Sequence, residues 1–196
     1  MQIIENFVKP RIQDELEALL LGGNFPYFYS SESCVPTEYR EDENEDARLT
    51  GATLIDGNTI EAPQFSHLVI SEGVVNSDAY KNVAPILNKV IDLVDGDYFI
   101  AKCKVNMNLA DVRFEGKYHT PHIDNGFEDQ VTAIYYVNDS DGDTYFFDDS
   151  NKVTKRVTPK KGTLVMWKGK VFHAKSSPIK TTSRVVININ LLPCKN

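Results

Sequence analysis

From residue 97 onward the chain is a succession of short apolar and β-branched runs, each closed by turn residues. The runs are 97–109, 118–124, 130–138, 143–148, 152–157, 162–167, 171–174 and 183–192. Asp139 to Gly142 and Lys160 to Gly162 are the clearest turn signals between them. Many short strands behind a helical layer predict a mainly β fold, a jelly-roll barrel with helices packed on one sheet.

The helical layer is read from the first half. Pro10 opens a segment in which Ile12, Leu16, Leu19 and Leu20 share a face, and Gly22 and Gly23 stop it. Residues 1–8 and 66–71 read as short strands. From Ser77, an expected N-cap, Tyr80, Val83, Leu87, Ile91 and Val94 recur at helical spacing up to Asp95-Gly96. Pro85 interrupts this segment and predicts a kink or two short helices. Residues 24–65 have no clear period and include the acidic run Glu41 to Asp46. The acidic loop around residues 30–60 is expected to be solvated, more mobile than the barrel and partly ordered by substrate. The expected organisation is one domain over 1–196, with 1–96 as helical support and loops and 97–192 as the jelly-roll core.

Composition narrows the function. With 196 residues, 41% hydrophobic and 25% charged, the chain is ordinary globular material. A net charge of −7 weighs against a partner with a phosphate backbone. Lys152, Lys155, Arg156, Lys160, Lys161, Lys168 and Lys170 form the most basic stretch, read as the solvated side of outer strands. The three cysteines, Cys34, Cys103 and Cys194, show no CxxC spacing and read as plain thiols of a reducing compartment. The N-terminal segment mixes acidic with apolar residues, unlike a signal peptide, and no apolar run approaches the ~18–20 residues of a bilayer span. The expectation is a soluble, cytoplasmic protein.

Three of the four histidines, His119, His122 and His173, fall in the strand-rich half. In an extended segment His122 and Asp124 would face the same side. An imidazole and a carboxylate there, joined by a second imidazole from a distant strand, can hold one face of an octahedral ion. The three positions left open suit iron(II) with a bidentate co-substrate and oxygen. An HxD pair alone is weak evidence, since it arises often by chance. Arg184 follows His173 by 11 residues and opens the alternating strand RVVININLL. Arg184, Val186, Asn188 and Asn190 share one face of it. The arginine either meets water at the strand entrance or points inward and needs a carboxylate partner, which a dicarboxylate co-substrate would supply.

The stretches KYHTPHIDNGFEDQVTAIYYVNDSDGDTYFFDD and PKKGTLVMWKGKVFHAKSSPIKTTSRVVINI resemble, in order, the core of the 2-oxoglutarate/iron(II) dioxygenases. The likeness is to their prolyl 4-hydroxylase branch, over roughly residues 97–192. VTAIYYVN is similar to the strand after the HxD motif, and GDTYFF to the GGxTxF turn. KGTLVMW with His173 and Pro178 is similar to the strand leading to the distal histidine. The resemblance implies a double-stranded β-helix of the cupin-like, jelly-roll kind. It implies His122, Asp124 and His173 as iron ligands, and Arg184 with Tyr136 as holders of the distal carboxylate of 2-oxoglutarate. Read from its residues alone, Tyr136 fits core packing equally well. Asn106 sits where some members use asparagine or tyrosine on the first barrel strand.

Two positions depart from the pattern. His119 stands where prolyl hydroxylases often have tyrosine, and Arg184 lies slightly farther than usual from the distal histidine. The implied cofactors are Fe(II), 2-oxoglutarate and O2, and the implied reaction is hydroxylation at an unactivated carbon. A prolyl residue of a protein or peptide is the first substrate candidate, with a small molecule also open. The alternatives are a cupin-like metal-binding module without oxidative activity, and a nucleic-acid dealkylating oxygenase. The first would not need Arg184 and Tyr136; the second usually carries a basic face and a second arginine soon after the first.

Overall fold

The computed structural model describes residues 1–31, 57–124 and 126–194. The acidic run, Cys34 and most of the segment expected to order on substrate lie outside the described residues. The elements, in chain order, begin with β1 (Gln2–Ile4), α1 (Pro10–Leu20), β2 (Phe28–Ser30), β3 (Gln64–Ser71), β4 (Val74–Val75) and α2 (Tyr80–Ile91). Then come β5 (Tyr98–Leu109), β6 (Val131–Tyr136), β7 (Thr144–Phe147), β8 (Val153–Val157), β9 (Leu164–Lys168), β10 (His173–Lys175) and β11 (Ser183–Pro193).

Every strand pairing among these elements is antiparallel. The large sheet runs β1-β9-β6-β11-β5-β3-β2, with β4 alongside β3, and the small sheet runs β10-β7-β8. This is the double-stranded β-helix expected from the strand runs. Strands from the first half extend the large sheet on both flanks, so that half supplies sheet as well as helix.

Side-chain alternation explains the layering. On β6 and β11 the odd-numbered residues, among them Ala133, Tyr135, Val185, Ile187, Ile189 and Leu191, join one core with Leu16 and Leu20 of α1 and Val83, Ile86, Leu87 and Val90 of α2. The even-numbered Ile134, Tyr136 and Val186 join Phe146 and Val157 of the small sheet in a second core. Helices therefore cover one face of the large sheet and the small sheet covers the other. A fully buried leucine in such a core contributes on the order of 2–5 kcal/mol against alanine.

Two expectations need correcting. Residues 118–124 do not form a strand; only isolated bridges, Thr59 to Tyr118 and His122 to His173, tie the segment down. Pro121 has no N–H for a ladder, and the Thr120 N–H donates instead to the Glu61 carboxylate at 2.7 Å. Pro85 does not divide the second helix, which is continuous from Tyr80 to Ile91. The residue is exposed, as is Lys81, whose carbonyl loses its i+4 donor and can be solvated there. Ser77 does accept the Ala79 N–H at 3.1 Å, so it caps the turn that leads into α2.

Candidate active site

The HxD segment reaches the site through its backbone bridge to β10. The His122 and His173 amides each donate to the other's carbonyl, at 2.9 and 3.0 Å. This pins two imidazoles from distant parts of the chain side by side, with ring centroids 4.7 Å apart. His122, Asp124 and His173 each offer one donor atom, and these lie within 4.8 Å of one another. The two Nε2 atoms stand 3.5 and 3.7 Å from Asp124 Oδ1.

The tautomers follow from the partners. His122 Nδ1 lies 3.0 Å from the Thr120 carbonyl and His173 Nδ1 lies 3.0 Å from the Val171 carbonyl. A carbonyl only accepts, so each Nδ1 carries the proton and each Nε2 presents a lone pair towards Asp124. Burial lowers the His173 pKa to about 4, which keeps that ring neutral near pH 7. Asp124 is also buried, which by itself would raise its pKa. Positive charge on the His173 and His122 rings, where present, and the Asn190 amide act the other way and hold it below the usual carboxylate range. Asn190 Nδ2 donates to Asp124 Oδ2 at 2.8 Å, leaving Oδ1 for the histidine side. Two lone pairs and a carboxylate oxygen converging without a hydrogen between them repel one another unless a cation joins them. Two histidines and one carboxylate are a donor set that fits iron(II).

The same cavity, of about 130 Å³, has Arg184 and Thr144 in its wall together with the three candidate ligands. Arg184 is 1% exposed. Its Nε donates to the Gly142 carbonyl at 2.8 Å and its Nη2 to Thr144 Oγ1 at 2.9 Å. A Cβ at Gly142 would stand 3.0 Å from Arg184 Cδ and 2.6 Å from the Ser176 carbonyl, so glycine is what lets the arginine stem lie there. No carboxylate among the described residues is ion-paired with this guanidinium; the nearby Asp143 is held by Arg156 at 2.5 Å. A buried cation without an anion is costly, and a dicarboxylate in the cavity would remove that cost.

Of the two other expected co-substrate residues, Asn106 lines the cavity and Tyr136 is not in its wall. Tyr136 is fully buried, its ring centroid 5.8 Å from the Arg184 guanidinium, and its hydroxyl is hydrogen-bonded to Thr144 Oγ1 at 2.8 Å. His119 stays outside the cluster: its ring stacks on Phe114 at 4.4 Å, and its nitrogens meet Glu61 and Ser177. Burial lowers its pKa to about 4. Thr144 and Asn190 were not singled out from sequence. Thr144 lies in the GDTYFF turn and strand, and Asn190 shares the Arg184 face of β11, so both signals were present.

Thr144→Val is expected to weaken 2-oxoglutarate binding by roughly tenfold, since the guanidinium loses a hydrogen bond worth about 1.5 kcal/mol. Titration of 2-oxoglutarate into the metal-loaded protein checks this, and an unchanged affinity would remove Thr144 from the co-substrate pocket.

The family model for the 2OG-Fe(II) oxygenase superfamily matches residues 107–192, which span the HxD segment, the distal histidine and Arg184. Residues 107–192 belong to the 2OG-Fe(II) oxygenase superfamily. This is a family of enzymes that use Fe(II), 2-oxoglutarate and O2, and the donor set and buried arginine described above fit those groups.

Solved structures agree on the fold. A prolyl hydroxylase from Trichoplax adhaerens, in complex with a hypoxia inducible factor peptide fragment, aligns over 97% of this chain and 82% of its own, at 19% identity and a TM-score of 0.59. A prolyl-4-hydroxylase from Pseudomonas putida aligns over 98% and 92%, at 16% identity and 0.55. The non-heme alpha ketoglutarate dependent epimerase SnoN of nogalamycin biosynthesis aligns over 97% and 76%, at 13% identity and 0.56. No curated protein matches the chain by sequence.

Proposed function

We propose that this oxygenase is a hydroxylase of the prolyl-hydroxylase type, with iron(II) held by His122, Asp124 and His173. Arg184 and Thr144 would hold the distal carboxylate of 2-oxoglutarate, with Tyr136 hydrogen-bonded to Thr144 and Asn106 on the adjacent strand β5. The observation that carries this reading is the buried, anion-less guanidinium of Arg184 in the same small cavity as the candidate metal ligands. Bound there, iron(II) with 2-oxoglutarate and O2 would supply oxidation of an unactivated C–H bond, one oxygen atom going to the substrate and the other to succinate as the co-substrate loses CO2.

The chain's own part is orientation and shielding. The Nδ1 hydrogen bonds of His122 and His173 fix both ring planes, and Asn190 turns Asp124 so that one oxygen faces the metal position. Phe146 and Trp167 pack edge to face at 5.1 Å, and the Trp167 ring meets His173 at 4.8 Å, which keeps bulk water from that side. The epimerase likeness shows that the fold hosts more than one reaction, so the hydroxylase outcome rests on the sequence motifs and on two prolyl-hydroxylase neighbours. A prolyl residue in a protein or peptide is the first substrate to test.

The other two readings are less well supported. A metal-binding module without oxidative activity gives no reason to bury Arg184. For nucleic acid, five of the seven basic residues between Lys152 and Lys170 are paired with carboxylates, namely Arg156, Lys160, Lys161, Lys168 and Lys170. Cys103 and Cys194 are free thiols, in keeping with a cytoplasmic setting. No helix among the described residues is long and apolar enough to cross a membrane.

Anaerobic titration with iron(II) and 2-oxoglutarate tests the proposal before any substrate is known. A visible metal-to-ligand charge-transfer band is the expected result. Tight iron binding with no such band would favour the non-oxidative module.

A further inference from the structure

Lys102 and Lys104 of β5 line the same cavity as the candidate metal site, with Lys175 of β10 beside them. Lys175 is hydrogen-bonded to Gln64. Lys102 and Lys104 have no carboxylate within ion-pairing distance among the described residues, whereas Lys161, Lys168 and Lys170 elsewhere each have one. Register fixes where the two side chains stand. Lys104 is opposite Asn188 and Lys102 opposite Asn190 on β11, so both rise on the cavity face next to the residue that steers Asp124. Burial, followed by the charge of Lys102, lowers the Lys104 pKa, and Asp124 acts the other way without reversing the direction.

Charge matching decides what they are for, and this step rests on the oxygenase reading above. The two charges of the metal ion and that of Arg184 are balanced by Asp124 and the two carboxylates of 2-oxoglutarate. The lysines are left over, in a protein whose net charge is −7. On either side of Lys104, the side-chain carbonyl oxygens of Asn106 and Asn188 are buried and accept no hydrogen bond. A molecule that satisfies this wall brings an anion for the lysines and N–H donors for the asparagines.

We propose that the prime substrate is an amino acid or acidic peptide whose carboxylate is held by Lys102 and Lys104 while its N–H groups meet Asn106 and Asn188. The carboxylate has two possible sources, the α-carboxylate of a free amino acid or an acidic side chain within a peptide. The two are separable by experiment.

Ligand-observed NMR on the protein loaded with zinc(II) and 2-oxoglutarate provides the test. One arm compares pools of acetylated tripeptide amides, randomised at the centre and flanked by glutamate or by glutamine. The other compares the free amino acids with their amides. Binding confined to the acidic member of either comparison is expected, and the arm in which it occurs names the source. In Lys102→Glu/Lys104→Glu the affinity for that member should fall at least about tenfold, with a smaller fall in Lys104→Gln, which removes the charge but keeps a polar side chain should the reversal fail to fold. If no acid binds more tightly than its amide twin, or if the variants lose 2-oxoglutarate as steeply as the probe, the proposal is overturned. The charge-transfer band on the same preparation keeps the two ideas apart: its absence sinks the oxygenase reading, while its presence with indifferent probes sinks this inference alone.

Discussion

Arg184→Ala is expected to lower the affinity for 2-oxoglutarate at least about a hundredfold while leaving metal binding nearly unchanged. The guanidinium is 1% exposed and donates to neutral groups, among them the Gly142 carbonyl and the Thr144 hydroxyl. Removing it strands the distal carboxylate in a desolvated pocket, and a buried charge without its partner typically costs about 3–5 kcal/mol, or more than two decades in affinity. Arg184→Lys should be milder, because an ammonium still neutralises the carboxylate, but it forfeits the planar fork that Gly142 and Thr144 hold in place. The measurement is paired: metal affinity without 2-oxoglutarate, then 2-oxoglutarate affinity with metal present. An alanine variant that binds 2-oxoglutarate like the parent would end the assignment of this pocket.

The second large effect concerns the ligands. His122→Ala, Asp124→Ala and His173→Ala are each expected to abolish metal-dependent turnover of 2-oxoglutarate and to weaken iron(II) binding by more than about a hundredfold. Asn190→Ala should fall between these and the parent, with a loss of roughly 10–100-fold, because it frees the Asp124 carboxylate to rotate without deleting a donor. Circular dichroism should show the fold retained, since none of the three donors belongs to the apolar cores. Full turnover in any single variant removes that residue from the metal shell.

The strands were legible as short apolar runs closed by turn residues. β6 and β9 are buried on both faces and read as nearly continuous runs, while β11, with Asn188 and Asn190 on its cavity face, shows the alternation. The segment 118–124 misled because its apparent regularity comes from ligand placement: His122 and Asp124 converge on His173 in an irregular segment held by isolated bridges. Pro85 misled because it stands off the buried face of Val83, Leu87 and Val90, where the carbonyl it leaves without a donor meets water and the helix continues. The charged partners were harder still. Arg184 could be read as meeting water or a carboxylate until the structure put its charge among neutral groups, and Lys102 and Lys104 look like solvated strand residues until β5 is set beside β11.

β11 lies between β5 and β6 in the large sheet and carries both Arg184 and Asn190. The order of synthesis therefore runs against the order of assembly. When the HxD segment leaves the ribosome, β5 is already made and β6 follows directly, but neither can pair with the other in the native arrangement, because the strand that joins them comes last. Until it inserts, two apolar strands show open edges, the state in which nascent β proteins are most prone to associate. Its insertion closes both edges at once, seats the guanidinium and orients the metal-facing carboxylate. Iron capture thus belongs to the end of maturation, and a chain stalled before residue 183 would carry all three donors without the strand that steers them.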